Sequence, residues 1–428
     1  MPVAFEPVLT RGIGELDLTD LKVYRAQGGY QALEKALREL APGDVVQMVT
    51  DSGLRGRGGA GFPAGKKWSF LPDDGRPRYL VCNADESEPG TFKDRLLIEH
   101  HPHQLIEGIV LAAYAVQAVQ AFIYLRGEFL EGYRVLQRAL AQARDAGYVG
   151  RNILGSGFDL EIVVHRGAGA YICGEETGLL SSLQGGRGEP RLKPPFPAVA
   201  GLYGMPTVVN NVETLSCVPH IVARGPEWFR SIGPETSPGP KIFSVSGHVV
   251  RPGNYELPMG VPLAELIFEH AGGLRPGRRV KAVLPGGGSS PALTADHLDV
   301  PLDFDSVAQA GSMLGSGAVM VLDDTTCIVK AAYVLARFFA AESCGQCTPC
   351  REGTSWVARI LGRIEAGQGR PEDLEVLKSL PGQMAGRTIC PFSDASVGFL
   401  SSTLIHFEDE YLAHIERGAC QVREVRSA

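Results

Sequence analysis

Four cysteines constrain this 428-residue chain more than any other feature. Cys344, Cys347 and Cys350 are separated by two residues each, and Cys390 follows later, directly before a proline. Three thiols this close together cannot form three separate disulfides, and they suit a soft metal centre. A C-x2-C-x2-C triplet with a remote C-P pair is typical of iron–sulfur proteins, although four cysteines also form structural zinc sites. The pattern therefore favours a [4Fe–4S] cluster, with zinc as the alternative.

Length and charge limit the remaining possibilities. A chain of this length predicts two or three domains, and a net charge of −7 gives no reason to expect nucleic acid or an anionic membrane surface as a partner. No signal peptide is evident at the N-terminus, and we expect a reducing, cytoplasmic environment. The other cysteines, which we interpret as reduced structural thiols, are Cys82, Cys173, Cys217, Cys327 and Cys420.

The apolar stretch 109–125 resembles a membrane span, but Gln117 and Gln120 interrupt it. A spanning helix needs about 20 clean apolar residues. We interpret the stretch as a buried helix followed by a short strand.

A glycine-rich segment, 54–68, contains Gly56, Gly58, Gly59, Gly61 and Gly65, interleaved with Arg55, Arg57, Lys66 and Lys67. Backbone N–H groups of such a loop can bind phosphate oxygens while basic side chains supply charge. The segment matches neither the G-x-G-x-x-G nor the P-loop pattern. The alternative is a mobile basic surface loop, one that touches RNA.

The following segment predicts a βαβαβ unit with a parallel sheet: strand 78–82, helix 92–118, strand 121–125, helix 129–146 and strand 160–165. Polar residues directly after the first strand stand where open α/β sheets bind ligands. Asn83 can bind a ring edge, and Asp85, Glu86 and Glu88 can accept from ribose or ribityl hydroxyls. For any one of these carboxylates, a helix cap is an equally good interpretation.

A second glycine-rich turn, 166–177, opens a helix and carries Glu175 and Glu176. These carboxylates suit ligand hydroxyls or are simply first-turn helix charges. The proline-rich arm 191–197 carries Lys193 and Phe196. Segment 207–214 is predicted to begin another helix, with Asn210, Asn211 and Thr214 as cofactor contacts or caps.

The C-terminal half predicts a small α+β module followed by helices. No residue pattern in the module suggests catalysis or ligand binding, and its glycine loop 286–290 has no basic residues nearby in the sequence. Helices predicted over 328–341, 354–366, 371–384 and 394–417 form a bundle. The cysteine triplet follows the first helix and Cys390 precedes the last, so facing loops can hold one cluster. Two anion sites beside an iron cluster suggest flavin, the cofactor that joins two-electron to one-electron chemistry.

Four stretches, 54–63, 82–90, 167–177 and 342–351, resemble the family of NADH-binding, FMN-carrying subunits of respiratory complex I, the F subunits of bacterial NADH–quinone oxidoreductases. The resemblance covers nearly the whole chain. It implies an α/β fold class: a Rossmann-like FMN/NADH domain (1–240), a ubiquitin-like SLBB domain (241–327) and a four-helix bundle with a [4Fe–4S] cluster (328–428).

The resemblance also implies roles for individual residues. The glycine loop, namely Gly56, Arg57, Gly58, Gly59, Ala60, Gly61 and Gly65, contacts FMN and NADH, with Lys67 near FMN. FMN is held by Asn83, Asp85, Gly174, Asn210, Asn211 and Thr214, and Phe62 and Phe70 stack on the adenine. Glu88, Glu176, Lys193 and Phe196 line the NADH side. The cluster ligands are Cys344, Cys347, Cys350 and Cys390. Hydride transfer to flavin is direct, so Glu175 and Glu176 position the substrate and are not acid–base catalysts.

The function implied is NADH dehydrogenase, the electron-input component of complex I, peripheral on the inner face of the cell membrane. A small [2Fe–2S] subunit and a large iron–sulfur subunit are the implied partners. An alternative is the diaphorase of an NAD-reducing hydrogenase or formate dehydrogenase, although only about 50 residues precede the glycine loop. A non-catalytic, zinc-stabilised nucleotide-binding scaffold is the alternative from another class.

Overall fold

The computed structural model describes residues 5–420 and residue 422, which form two β-sheets and a C-terminal group of helices. The first sheet contains β1 Arg78–Ala84, β2 Ala118–Leu125, β3 Glu161–Arg166 and β4 Thr207–Asn211. The second contains β5 Pro240–Gly247, β6 Gly253–Pro258, β7 Val280–Leu284, β8 Leu293–Thr294 and β9 Ala318–Asp323. The helices around the first sheet are α1 Leu21–Ala26, α2 Gln31–Glu39, α3 Pro42–Asp51, α4 Ala64–Trp68, α5 Lys93–His100, α6 Pro102–Val116, α7 Leu130–Asp145, α8 Glu176–Leu183, α9 Pro197–Ala200, α10 Val212–Arg224 and α11 Pro226–Arg230. The remaining helices are α12 Leu263–Glu265, α13 Phe304–Gln309, α14 Ile328–Glu342, α15 Thr348–Glu365, α16 Pro371–Met384, α17 Phe392–His406 and α18 Glu408–Arg417.

The first sheet is parallel throughout, with strand order β3-β2-β1-β4. Its apolar strands are covered by helices, among which α6 is buried along nearly its whole length. The predicted α/β class with a parallel sheet is confirmed. Asn83 pairs with Asn211 in the register of β1 and β4, so the carboxyl ends of these strands place two amides side by side.

The prediction of a helix from residue 207 is wrong, because 207–211 is the strand β4. Its β-branched residues Thr207, Val208 and Val209 are buried beside β1. The helix begins only at Val212, where the side chain of Asn211 caps it by accepting from the Glu213 N–H at 3.0 Å.

The helix predicted over 92–118 is two helices, α5 and α6, because Pro102 cannot continue the first and instead begins the second. The apolar stretch 109–125 divides, as expected, into buried helix and strand. Within the described part of the chain, no helix is long and apolar enough to cross a membrane.

The second sheet is mixed, with order β6-β5-β9-β7-β8, and helices α14 to α18 follow it. The prediction of one last helix over 394–417 is wrong, since Phe407 takes a non-helical conformation and separates α17 from α18. The helix α15 begins earlier than predicted, so Cys347 is its N-cap and Cys350 lies in its first turn.

A buried group of charges joins the two sheets. The carboxylate of Glu213 on α10 lies 2.8 Å from the Lys93 ammonium and 3.2 Å from that of Lys241 on β5. It also accepts from the Ile242 N–H at 2.8 Å. Burial alone would raise the pKa of Glu213, but Lys241 and Lys93 outweigh it and hold the pKa below its ordinary value. These contacts fix the sheets relative to each other, and with them the cavity that lies between.

Candidate functional site

A cavity of about 590 Å³ opens where the first sheet, the second sheet and the C-terminal helices meet. This volume is within the range of small-molecule sites, about 300–1,000 Å³. The predicted residues that line it are Gly58, Gly59, Ala60, Asn83, Asp85, Glu86, Glu88, Gly174, Glu175, Asn211 and Cys390. The structure therefore places the glycine loop, the carboxyl edge of the sheet and one predicted cluster ligand on the walls of a single cavity.

The glycine loop lies against the carboxyl edge of the sheet. A Cβ on Gly58 would come within 2.9 Å of the Asn211 Cβ, so this glycine permits the close approach. The Thr214 hydroxyl accepts from the Arg57 N–H at 2.8 Å, and the side-chain Oδ1 of Asn210 accepts from the Trp68 indole N–H at 2.8 Å. Asn210 and Thr214 thus hold the loop and α4 in place.

Two basic residues of the loop bind protein groups and do not line the cavity. The Arg57 side chain is fully buried and donates to the Pro238 carbonyl at 2.7 Å. Arg55 forms an ion pair with Asp305 at 3.0 Å. The expectation that both guanidiniums supply charge to a ligand is therefore wrong, because both are used to attach the loop to neighbouring segments.

Other predicted glycines of the segment are required for packing. Gly61 has a φ of +64°, and a Cβ there would lie 2.6 Å from the Phe304 ring. A Cβ on Gly65 would meet Thr50 at 2.2 Å. Gly56 donates its N–H to the Phe62 carbonyl at 2.9 Å, closing the base of the loop.

Asp85 is the most informative residue of the cavity. It is 7% exposed, and neither of its carboxylate oxygens has a hydrogen-bond partner among the described residues. Burial raises its pKa to about 7, although Arg126 opposes the shift. The Ser87 hydroxyl also lies close enough to lower the pKa of Asp85, but it forms no hydrogen bond with the carboxylate. A buried carboxylate without partners costs free energy unless a ligand donates to it. This residue therefore fits a ligand rich in hydroxyl or N–H groups, as FMN is.

The neighbouring carboxylates already have partners. Glu86 accepts from the N–H groups of Asp94 and Arg95 at 2.7 and 3.0 Å, which is the helix-capping role that the sequence left open. Glu88 accepts from the Tyr171 hydroxyl at 2.7 Å and from the Ser289 N–H at 2.8 Å. It therefore ties the first sheet to the loop 286–290 of the second.

A chain of alternating charges lies beside the second glycine turn. Lys67 contacts Glu176 at 2.7 Å, and Lys193 contacts Glu176 at 3.0 Å and Glu175 at 2.9 Å. Burial would raise the pKa of Glu176, but the two lysines outweigh it and lower the pKa. Glu175 also caps α8, accepting from Thr177 and Gly178 N–H groups. Glu176 therefore stays ionised at neutral pH, which agrees with a positioning role.

Three predicted aromatic residues lie outside the cavity. The rings of Phe62 and Phe70 are 6.0 Å apart, and these side chains are 44% and 50% exposed. Phe196 on the arm is 57% exposed. Exposed aromatic rings can stack on a base.

The four predicted cluster ligands pack in one apolar cluster with Phe339 and Phe392, between the first sheet and the C-terminal helices. Burial raises the pKa of Cys390 to about 11, and Glu175, Cys344 and Cys350 add to the shift by their proximity. In a tetrahedral zinc site, bonds of about 2.3 Å place thiolate sulfurs about 3.8 Å apart. Among the described residues, no three of these four sulfurs lie within 4.8 Å of one another. The spacing fits a cluster of several irons better than a single ion.

The sequence interpretation missed the contribution of the second sheet. The loop 286–290, for which the sequence suggests no ligand-binding role, lines the cavity together with segment 312–316. Its backbone, and not a basic side chain, makes the contact, since Ser289 donates its N–H to Glu88. The glycine run was a usable signal. Further lining residues that were missed are Ser87, Thr91, Lys93, Tyr171, Ile172, Gly286, Ser289, Ser312, Gly315, Ser316 and Phe392.

Comparison with known families divides the chain into three matched segments. Residues 49–220 match the Nuo51 FMN-binding domain, and residues 241–321 match the SLBB domain. Residues 330–414 match the NADH-ubiquinone oxidoreductase-F iron-sulfur binding region.

Curated relatives match along almost the whole chain. The F 2 subunit of the NADH-quinone oxidoreductase of Rhizobium meliloti is 57% identical over 417 residues, covering 97% of this chain and 99% of that protein. The F subunit of the Escherichia coli enzyme is 48% identical over 400 residues, covering 93% of this chain and 90% of that protein. Among solved structures, an NAD+-reducing [NiFe]-hydrogenase in the H2-reduced state is 38% identical with a TM-score of 0.83, covering 96% of this chain and 67% of that one.

Proposed function

The chain belongs to the family of NADH–quinone oxidoreductase F subunits, and from that premise we propose how its own residues receive the electrons of NADH. It is the NADH dehydrogenase component of a multi-subunit enzyme, with NADH as substrate and FMN and a [4Fe–4S] cluster as cofactors. When bound, FMN takes the electrons of NADH as a hydride, and the cluster takes electrons singly.

Asp85 and the amides of Asn83 and Asn211 orient FMN in the cavity. The buried oxygens of Asp85 accept hydrogen bonds from the cofactor, which removes the cost of their isolation. Asn83 is held in position by donating to the Gly174 carbonyl at 2.8 Å. The residues Gly58, Gly59 and Ala60 of the glycine loop border the same space.

Glu175, Glu176 and Lys193 position NADH, with Lys67 near FMN. Phe62 and Phe70 stack on the adenine, and Phe196 lines the NADH side. The alternating ion pairs hold each charge in a fixed place before substrate arrives. No side chain has to remove a proton, because the hydride transfer is direct.

Cys344, Cys347, Cys350 and Cys390 hold the cluster. Apolar side chains pack against all four cysteines, of which Cys350 is buried, and Cys390 reaches the cavity wall itself. The observation that carries the proposal is that Asp85 and Cys390 border the same cavity. Asp85 offers the flavin a carboxylate without a hydrogen-bond partner, and Cys390 offers the iron a ligand.

The test of this function is NADH oxidation by the full chain loaded with FMN, with ferricyanide as the electron acceptor. We expect NADH:ferricyanide activity that depends on FMN. A chain that binds FMN stoichiometrically and still fails to oxidise NADH would contradict the proposal.

We divide the chain into a flavin domain (1–240), an SLBB domain (241–327) and a cluster domain (328–428). The division is supported by the start of β5 at Pro240 and of α14 at Ile328. Limited proteolysis that cuts first at the exposed residues 235–236, just before the buried start of β5, is the expected result.

The partners we propose are a small [2Fe–2S] subunit and a large iron–sulfur subunit, on the cytoplasmic face of the cell membrane. Support comes from the family and from apolar residues exposed on the cluster-bearing helices, such as Trp356 at 50% and Ile405 at 76%. Affinity purification from cells would identify the partners. Recovery of hydrogenase subunits instead would favour the diaphorase function of the solved structural relative.

Glu176→Gln tests the positioning role. Our hypothesis is that the carboxylates near the nicotinamide repel phosphate and so disfavour wrong-way binding. We expect the variant to keep its FMN but to change its affinity for NADH. It should also bind ADP-ribose, which keeps the pyrophosphate but lacks the nicotinamide, roughly tenfold more tightly relative to NADH, since about 1.4 kcal/mol corresponds to that factor. Competitive inhibition of NADH oxidation by ADP-ribose measures the ratio.

The matched control is Glu189→Gln, which removes a carboxylate paired with Arg187 on a nearby segment. It should leave both affinities unchanged. Loss of FMN from Glu176→Gln, or an unchanged affinity ratio, would show that the assignment is wrong.

A further inference from the structure

Two of the cysteines that the sequence assigned as isolated structural thiols lie together with a histidine. The sulfur of Cys327 is 3.3 Å from the Nε2 of His414. These two atoms and the Cys420 sulfur all lie within 4.8 Å of one another. His414 and Cys420 are only 3% and 7% exposed. The three side chains form a cluster at the C-terminal end of the chain, separate from the four cysteines described above.

The local fold holds these residues in place. Cys327 is the N-cap of the 15-residue helix α14, and its sulfur accepts from the Lys330 N–H at 3.4 Å. At the end of α18, Gly418 takes a left-handed conformation and donates to the His414 carbonyl at 3.1 Å, which turns the chain back toward Cys327. A Cβ on Gly367 would lie 2.2 Å from the Gly418 carbonyl oxygen, so the turn is packed tightly against the preceding loop.

The spacing of the donor atoms suits one metal ion. With Zn–S bonds of about 2.3 Å and Zn–N bonds of about 2.0–2.1 Å, a tetrahedral site separates sulfur from nitrogen by about 3.6 Å and sulfur from sulfur by about 3.8 Å. The observed Cys327–His414 separation of 3.3 Å needs only a small adjustment. The four cysteines near Phe392 are spaced more widely, and within the described residues only the Cys327 group brings three such donor atoms this close together.

We propose that Cys327, His414 and Cys420 form a second metal site, which binds a thiophilic divalent cation of the Zn²⁺ class. Two thiolates and an imidazole are ligands that such an ion prefers, and water completes the four positions. Cys327 also borders a separate cavity of about 430 Å³ between the second sheet and α14, from which that water can enter. The ion has no redox role. It joins the C-terminal turn to the start of α14 and so stabilises the helices that carry the iron–sulfur ligands.

The experiment uses the full chain with FMN and iron–sulfur cluster loaded, so that the four cluster cysteines are occupied. Zn²⁺ content is measured by elemental analysis beside iron. Co²⁺ is then titrated into the chelator-treated protein, and thiolate-to-cobalt absorption reports cysteine coordination. We expect one Zn²⁺ per chain in addition to the cluster iron, and one equivalent of Co²⁺ bound with thiolate absorption. Because these measurements use the unaltered chain, their result does not depend on whether a variant folds.

Variants assign the ligands. Cys327→Ser and Cys420→Ser should each weaken Zn²⁺ binding at least tenfold and leave the iron content and FMN unchanged. Cys217→Ser changes a buried cysteine on α10, beside the first sheet, and should keep the ion. The proposal is overturned if the iron-loaded chain binds neither Zn²⁺ nor Co²⁺, if Zn²⁺ binding survives both serine variants, or if Cys327 and Cys420 are found joined in a disulfide that binds no metal after reduction.

Discussion

Replacing Cys350 by serine removes the iron–sulfur cluster and leaves FMN in place. Cys350 is 7% exposed in the first turn of α15, surrounded by apolar side chains. A serine hydroxyl is a poor ligand for iron, and the closed surroundings offer no substitute. Even changes to residues that only support a metal ligand lower metal affinity roughly 10–100-fold, so loss of a ligand should exceed that range.

Iron and labile sulfide per chain, visible absorption and released FMN measure the outcome. Cys173→Ser is the matched control, since Cys173 packs in the same apolar cluster but is not one of the four predicted ligands. It should keep its iron. A Cys350→Ser protein that retains four irons, or that loses FMN together with the iron, would contradict the assignment of separate sites.

Asp85→Ala is expected to weaken FMN binding about 10-fold to 150-fold and, at the same time, to stabilise the protein without FMN. Hydrogen bonds to a charged group contribute about 1.5–3 kcal/mol, which sets the loss of affinity. Without FMN, the buried carboxylate has no partner, so its removal should raise the free energy of unfolding by about 4 kcal/mol at pH 8. Fluorescence titration with FMN and denaturant unfolding measure the two effects.

The pH dependence follows from the raised pKa of Asp85. Its folded pKa of about 7 lies above the ordinary value of 3.8. The carboxyl therefore favours the folded state at low pH, and this advantage is lost as pH rises through 7, at about 1.36 kcal/mol per pH unit between the two pKa values. The stability gain of Asp85→Ala should mostly disappear by about pH 4.

Asp303→Ala provides the contrast, because the Asp303 carboxylate is similarly buried but caps α13, accepting from the N–H groups of Asp305 and Ser306 at 2.9 and 2.8 Å. It should lower the stability, by about 0.5–2 kcal/mol as for other helix caps. If Asp85→Ala instead destabilises the FMN-free protein as Asp303→Ala does, Asp85 is a structural residue and not a cofactor ligand.

Local sequence patterns predict much of this fold for identifiable reasons. The apolar β-branched runs of β1 and β3 and the helical periodicity of α7 and α16 depend on neighbours in sequence, and their bounds are close to those expected. The strand β4 was mistaken for helix because its partner β1 lies more than 100 residues earlier, and pairing at that separation leaves no local signal.

The functional site also has a part that the sequence predicts and a part that it does not. Motifs that are contiguous in sequence, such as 54–68 and 342–351, predict the glycine loop and the cysteine group. The wall made by loop 286–290 was missed because its contact to Glu88 uses a backbone N–H, which every residue except proline has. Cys327 and Cys420 are 93 residues apart in the sequence, and only the turn at Gly418 brings them together.

The most direct test is an optical spectrum of the full chain, loaded with FMN and iron–sulfur cluster under anaerobic conditions, before and after addition of NADH. We expect flavin and iron–sulfur absorption in the first spectrum and bleaching of both in the second. A chain that stays colourless after reconstitution, binds zinc alone at its four cysteines, or shows no change with NADH would contradict the assignment of this chain as an NADH dehydrogenase.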